Sequence, residues 1–425
     1  MAREKDIRIK RTRRKEQGTE EQQPEPRFAG MQRENEEEQA QREAEERRKA
    51  RKKKRPKKKK RLIVFLILLV LLVLVITNWS SLKPDSVWTW INVVVTGGET
   101  GDKYPVQIEG SNVLAVKPIG NYLLVVKQNT LTVYNQSAGT VFSRTHSFAD
   151  PIVDVSGNCF MMAETGGNRI EVQKIGRKPH EMKTEKKIVT AAVADNGCVA
   201  AVTTSDKGYV SEIKFFDTKG DVELTCKRPD LYLTGIDLRH DARQMTAIGL
   251  AAHEGTPQST VLVYSTSSEK NPKEIAGNDV MLCDVRYLDG DTVAAVGDDR
   301  VWIVKGSKKE PTEVKFEDRK LLSWTTTGER IGVVLQSYGA TDGGELTSIN
   351  KSGKTLYTAA FSGDFRSISP AGREFFLLAG NQLMTTNSKG EAKYQEVVTD
   401  ALRVCRAFGN DAAVQGLTTI ERYEY

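Results

Sequence analysis

Val189-Thr-Ala-Ala-Val193, Asn196-Gly197 and Cys198-Val-Ala-Ala-Val-Thr203 are a short apolar run, a turn signal and a second apolar run. Asn-Gly tolerates positive φ at both central positions of a tight turn, so the stretch reads as a β-hairpin. The runs are too short for helices and carry no 3.6-residue period. A further turn follows at Asp217-Thr-Lys-Gly220. The decisive observation is that this unit recurs.

First strands of equivalent units begin at Val113, Ile152, Val189, Leu233, Leu282, Leu321, Arg366 and Leu402. The spacings are 39, 37, 44, 49, 39, 45 and 36 residues. A turn follows each one: Gly120-Asn121, Gly157-Asn158, Asn196-Gly197, His240-Asp241, Asp289-Gly290, Gly328-Glu329, Ala371-Gly372 and Gly409-Asn410. Second apolar strands come next, among them Thr292–Val296, Ile331–Leu335 and Phe375–Ala379. The Asp217–Gly220 turn has counterparts at Asn135–Gly139, Asn350–Gly353 and Asn387–Gly390. Four strands in about 40 residues is the blade of a β-propeller, an all-β fold. The pattern predicts eight blades over residues 104–425, with seven as the alternative count. The last unit supplies only three strands, and Pro105–Glu109 is expected to complete it and close the ring.

N-terminal to the repeats the chain changes character. Residues 1–61 carry 24 Lys or Arg against 13 Asp or Glu, a net of +11, while the remainder is near neutral at −4. Residues 1–32 have almost no apolar side chains and cannot repay ordering entropy, so they read as disordered. The rest of this segment reads as a partly formed, solvated helix, with acid-first i,i+4 pairs such as Glu38/Arg42. A basic cluster ending in Lys57-Lys58-Lys59-Lys60-Arg61 abuts an uncharged apolar run from Leu62 through Phe65 and Ile76 to Trp79. Its 18 residues span about 27 Å as a helix at 1.5 Å per residue, enough to cross a bilayer. The basic excess predicts a cytoplasmic N-terminus, contact between the cluster and anionic lipids, and an extracytoplasmic repeat domain. Residues 80–103 read as a short interfacial helix carrying Trp88 and Trp90, followed by a glycine linker. The near-neutral repeat domain argues against nucleic acid as a partner.

Catalytic chemistry is not apparent. His146, His180, His240 and His253 show no metal-ligand spacing. Ser352-Gly353-Lys354-Thr355 ends like a phosphate loop but has Ser348 where the first Gly belongs, and it falls on a recurring hairpin turn. The five cysteines have no paired spacing and read as buried structural thiols, with Cys159 and Cys198 the one pair placed to bridge. No cofactor is implied. The loops between second and third strands emerge on one face and vary most, with long stretches at His253–Gln258 and Tyr338–Glu345. Arg169, Tyr209, His253 and Tyr338 are therefore the candidate contacts.

Ser369-Pro370-Ala371-Gly372-Arg373 resembles the S-P-D-G-K turn of WD40-like propellers, with Ala371 at the Asp position. The order of basic tail, single span, interfacial helix, Lys103-Tyr104-Pro105-Val106 linker and repeats is similar to an uncharacterised family of membrane-anchored propellers from Firmicute bacteria, within the WD40-like and quinoprotein-like superfamily. That resemblance implies a fold and a location but no activity. The expected role is a non-catalytic scaffold or binding module of the cell envelope, taking another envelope protein, a peptide or a glycan. The alternative is an enzyme or solute-binding propeller, its residues supplied from the start of each inner strand around the central channel.

Overall fold

The structure, a computed structural model, describes residues 101–425 except Asp102, 109–111, Lys207 and 269–270. The tail, the span at 62–79 with its flanking basic cluster, and the Trp88/Trp90 segment lie outside the described residues. Within residues 101–425 no helix is long and apolar enough to cross a membrane.

Thirty-two strands form eight four-stranded antiparallel sheets, the blades of a propeller ring. The inner strands are Val113–Ile119, Pro151–Ser156, Ile188–Val193, Tyr232–Leu238, Leu282–Tyr287, Arg319–Thr326, Phe365–Ala371 and Arg403–Ala407, for blades 1 to 8. Each begins within two residues of its expected start.

Second strands lie between neighbouring blades and are covered on both faces. That is why Thr292–Gly297 and Glu374–Ala379 are buried at every position and carry the apolar runs at 293–296 and 375–379. No single core exists. Eight apolar clusters fill eight seams, each drawn from two adjacent blades, including one between blades 8 and 1. The ring is thus packed all the way round.

Closure comes from the N-terminal strand. Val106–Gln107 pairs antiparallel with Thr419–Tyr423, Val106 opposite Ile420 and Gln107 opposite Thr419. Ile108 follows, buried in the blade 8–1 seam with Leu123, Val125, Phe408 and Ile420. Joining both chain termini in one blade removes the two edges an open ring would expose.

The recurring turn between third and fourth strands has one mechanism. The side-chain oxygen at its first residue accepts two backbone N–H groups, two and four residues on. Asn135 takes Ser137 and Gly139 at 3.0 and 2.8 Å. Asn350 takes Ser352 and Lys354 at 2.9 and 3.0 Å. Asp217 and Asn387 do the same. The phosphate-loop-like tetrapeptide is therefore a hairpin cap.

Strand direction divides the ring into two ends. The 1–2 and 3–4 turns share one, the turn end. The 2–3 loops and blade-to-blade connections share the other, the loop end. The chain enters at the turn end, where Lys103 N–H donates to the Ser137 carbonyl at 3.3 Å.

Two expectations need correction. The stretch His253–Gln258 is not a loop. Gln244–His253 and Thr256–Ser265 are ten-residue strands joined by Glu254 and Gly255, at φ +50° and +83°. Positive φ at both central residues gives a tight twisted turn, so this hairpin outreaches the others, whose second strands run five to eight residues. The cysteines differ too. Cys159 and Cys198 are unbridged thiols, and Cys283 is exposed. Cys159 packs into the seam between blades 2 and 3, Cys198 into that between blades 3 and 4. Equivalent positions in rotated blades point the same way round the ring, so these two never face each other.

Candidate functional site

An inner strand is an edge, and every second N–H along it points into the channel without a ladder partner. Ala194, Arg239 and Leu288 donate to their second strands at 3.0, 3.0 and 2.9 Å. The residues just before them, Val193, Leu238 and Tyr287, therefore turn their N–H groups inward. For two of these the acceptor comes from the preceding blade. Asp154 Oδ2 accepts the Val193 N–H at 2.9 Å, and Asp237 Oδ2 accepts the Tyr287 N–H at 2.6 Å. Ser369 Oγ accepts the Arg406 N–H at 2.9 Å in the same manner. By strand register the corresponding residues of blades 1 and 7 are Pro118 and Pro370. Proline has no N–H to satisfy, so those two edges need no clasp.

The position holding Asp154 and Asp237 is occupied in blade 5 by Arg286. Its guanidinium reaches across the channel to lie 3.8 Å from Asp154 Oδ1, 3.7 Å from Asp237 Oδ1 and 3.8 Å from Asp284 Oδ2. Three carboxylates from blades 2, 4 and 5 thus converge on one cation. Asp154, Asp237 and Arg286 line a cavity of about 250 Å³ built from the inner strands of blades 2 to 5 toward the turn end, with Asp284 just outside it.

Burial pushes the Asp237 carboxyl up to about 7, with the Asp154 charge adding to it; Arg286 and the backbone N–H bonds oppose the rise. Burial disfavours the Arg286 cation, but Asp284, Asp237 and Asp154 outweigh it and hold the guanidinium protonated. Among the described residues no three His, Cys, Asp or Glu side chains are grouped as metal ligands.

A pH dependence follows. Asp237 binds its proton more tightly in the fold than its ordinary value of 3.8 allows in the unfolded chain. Ionising it therefore costs stability that is absent near pH 4 and grows as pH rises to 7. Asp237→Asn keeps an oxygen for the Tyr287 N–H and removes the charge. It should be more stable than the parent at pH 8, by on the order of 2–4 kcal/mol, with the gap closing toward pH 4. Thermal denaturation at three pH values reads this directly; a pH-independent gap would refute it.

The four candidate contacts share the loop end but not an environment. The Arg169 guanidinium stacks 4.0 Å over the Phe148 ring and lies 3.8 Å from Glu164. Tyr209 is half-buried, with the Lys227 ammonium 5.2 Å from its ring centre. His253 is exposed at the tip of the long blade 4 hairpin, and Tyr338 is 70% exposed in the 2–3 loop of blade 6.

Sequence reading missed the rest of that surface. Of the nine exposed large hydrophobic residues among the described residues, seven are at the loop end: Leu114, Val189, Tyr232, Met281, Tyr338, Val397 and Leu417. Part of the cause is a repeated β-bulge. In six inner strands the register slips by one residue near the loop end, at Leu114, Val189, Thr234, Cys283, Leu322 and Arg366. A bulge leaves its extra residue unpaired, and five of these six are exposed. The signal lay in the aligned repeats, as one residue too many before each Asp- or Ser-bearing half-strand.

Comparison with known proteins bears on fold and family. The C-terminal WD40 domain of Sif2 superposes with a TM-score of 0.55 at 12% identity, over 76% of this chain and 99% of that one. Apo AztD from Citrobacter koseri gives a TM-score of 0.46 at 9% identity, over 68% of this chain and 86% of the other. At these identities the first likeness speaks to the propeller fold alone. A search of the curated proteins found no match. Residues 95–414, about three-quarters of the sequence, match the profile of a family of unknown function, DUF5711, and the chain belongs to that family.

Proposed function

We propose that this protein is a non-catalytic binding module of a bacterial cell envelope, tethered by a single span at 62–79 with its N-terminus in the cytoplasm. Its propeller stands outside the membrane and recognises a protein partner through the loop end of the ring. The observation that carries the reading is the one-sided distribution of exposed apolar side chains. Scattered surface hydrophobics are ordinary, whereas their concentration on one surface marks interaction sites. The uncharged run from Leu62 to Trp79 behind Lys57–Arg61 supports the tether, and anionic lipid is the expected contact of that basic cluster.

The test is a co-purification. Full-length protein extracted from membranes should bring down a stoichiometric partner, and Tyr232→Ser with Tyr338→Ser should reduce its recovery at least tenfold while the fold melts normally. Unchanged recovery would contradict the assignment of the loop end. Orientation is separable: Cys introduced at Gly98 should react with an impermeant maleimide in intact protoplasts, and failure to react there would reverse the topology.

A second reading, a small-molecule site in the channel, is favoured by the ion cluster around Arg286. It is compatible with the first, since cluster and apolar surface lie toward opposite ends of the ring.

A further inference from the structure

We propose that the channel cavity between blades 2 and 5 binds a protonated amine, held between the carboxylates of Asp154 and Asp237 beside the Arg286 guanidinium. This goes beyond partner recognition at the loop end and stands on separate residues.

Charge balance is the first argument. Other charged groups lining the cavity are neutralised locally: Arg239 by Asp241 at 2.7 and 2.8 Å, and Asp289 by Lys351 at 2.9 Å. That leaves Asp154 and Asp237 in the lining, with Asp284 just outside it beside the guanidinium, against Arg286 alone. The fully ionised set carries two negative charges in excess, which a monovalent cation would halve.

Geometry is the second. Asp154 and Asp237 each spend Oδ2 on a backbone N–H of the next blade, so their positions are fixed. Their Oδ1 atoms face Arg286 at 3.8 and 3.7 Å, beyond direct hydrogen-bond reach. The guanidinium, which lines the cavity with 42% of its side chain exposed, thus keeps donors to offer. Two fixed acceptors with unfilled lone pairs suit an ammonium group, which brings three donors on a compact centre.

Size is the third. About 250 Å³ is below the range of pockets that take drug-sized ligands, roughly 300–1,000 Å³. Nucleotides and oligosaccharides are too large. A lone anion meets the Asp154 and Asp237 carboxylates, and among the described residues no three His, Cys, Asp or Glu side chains are grouped to hold a metal. A small amine remains, either a simple alkylammonium ion or the ammonium of a zwitterionic amino acid whose carboxylate would meet Arg286 as a bidentate pair.

Calorimetric titration of the full-length protein with ethanolamine, putrescine and glycine tests this. At least one should bind saturably, and Asp154→Asn and Asp237→Asn, which preserve the backbone acceptors, should each weaken it at least tenfold. Arg286→Gln separates the two sources: it should abolish glycine binding if the ligand is a zwitterion and leave or strengthen ethanolamine binding if it is a simple amine. The proposal is overturned if none of the three saturates below about 10 mM, or if both Asn variants bind as the parent does. Melting curves of each variant guard against loss of fold.

Discussion

Ile108→Asp is expected to open the ring. Ile108 is 1% exposed, its N–H donates to the Thr418 carbonyl at 2.8 Å, and its side chain fills the only seam joining the last blade to the first. Truncating a buried Ile to Ala costs about 2–5 kcal/mol. A carboxylate there adds the burial of a charge in a cluster dominated by apolar side chains. The loss should exceed about 4 kcal/mol in denaturant unfolding, whereas Ile108→Val should stay near 1 kcal/mol. The reason for so large an effect is topological. The other blades are built from four strands consecutive in the chain, but blade 8 takes its outer strand, Val106–Gln107, from the opposite end of the sequence. Ile108→Asp as stable as the parent would mean that residues 106–108 do not close the propeller.

Trp302 is the second site of large effect. It is 1% exposed in the third strand of blade 5, and a Cβ placed on Gly277 of blade 4 would come within 2.5 Å of its ring. Glycine is required there because a rigid indole occupies the space a methyl would need. Trp302→Ala should cost about 3–5 kcal/mol and Gly277→Ala about 1–3 kcal/mol. The double variant should be less destabilised than the sum, since the cavity left by the indole admits the new methyl. Strict additivity, measured by chemical denaturation of all four proteins, would show that the two residues are not in contact. Trp302→Phe should be milder, because the indole N–H has no hydrogen-bond partner among the described residues.

The fold was legible because blade structure is local. Asn196-Gly197 and its counterparts mark hairpins, and the two-sided burial of second strands leaves apolar runs such as Phe375–Ala379. Even closure by the start of the repeat region, expected at Pro105–Glu109 and formed by Val106–Gln107, followed from counting strands. The long hairpin at 244–265 was not legible: Glu254 holds positive φ where Asn or Gly would have signalled it, and Pro257 disguised the start of a strand.

The channel cluster was hidden for a different reason. Asp154, Asp237 and Arg286 belong to three repeats and meet only when the ring closes. They come from the later half of their inner strands and not from the start, because the position that matters is fixed relative to the turn. Counting back from each turn by strand register gives Lys117, Asp154, Ala192, Asp237, Arg286, Thr325, Ser369 and Cys405. Blades 1, 2, 4 and 5 carry charges there, and the cavity lies among the residues of blades 2, 4 and 5.

Recognition through the loop end is the claim on which the function rests, and site-specific photo-crosslinking addresses it most directly. A photoreactive residue would be placed singly at Tyr338 and Val397 on the loop end and at Lys219 and Lys389 on the turn end, in the full chain in intact cells. The account predicts one discrete protein adduct from the first pair and none from the second. An adduct confined to Lys219 and Lys389, or no protein adduct from any of the four, would contradict it.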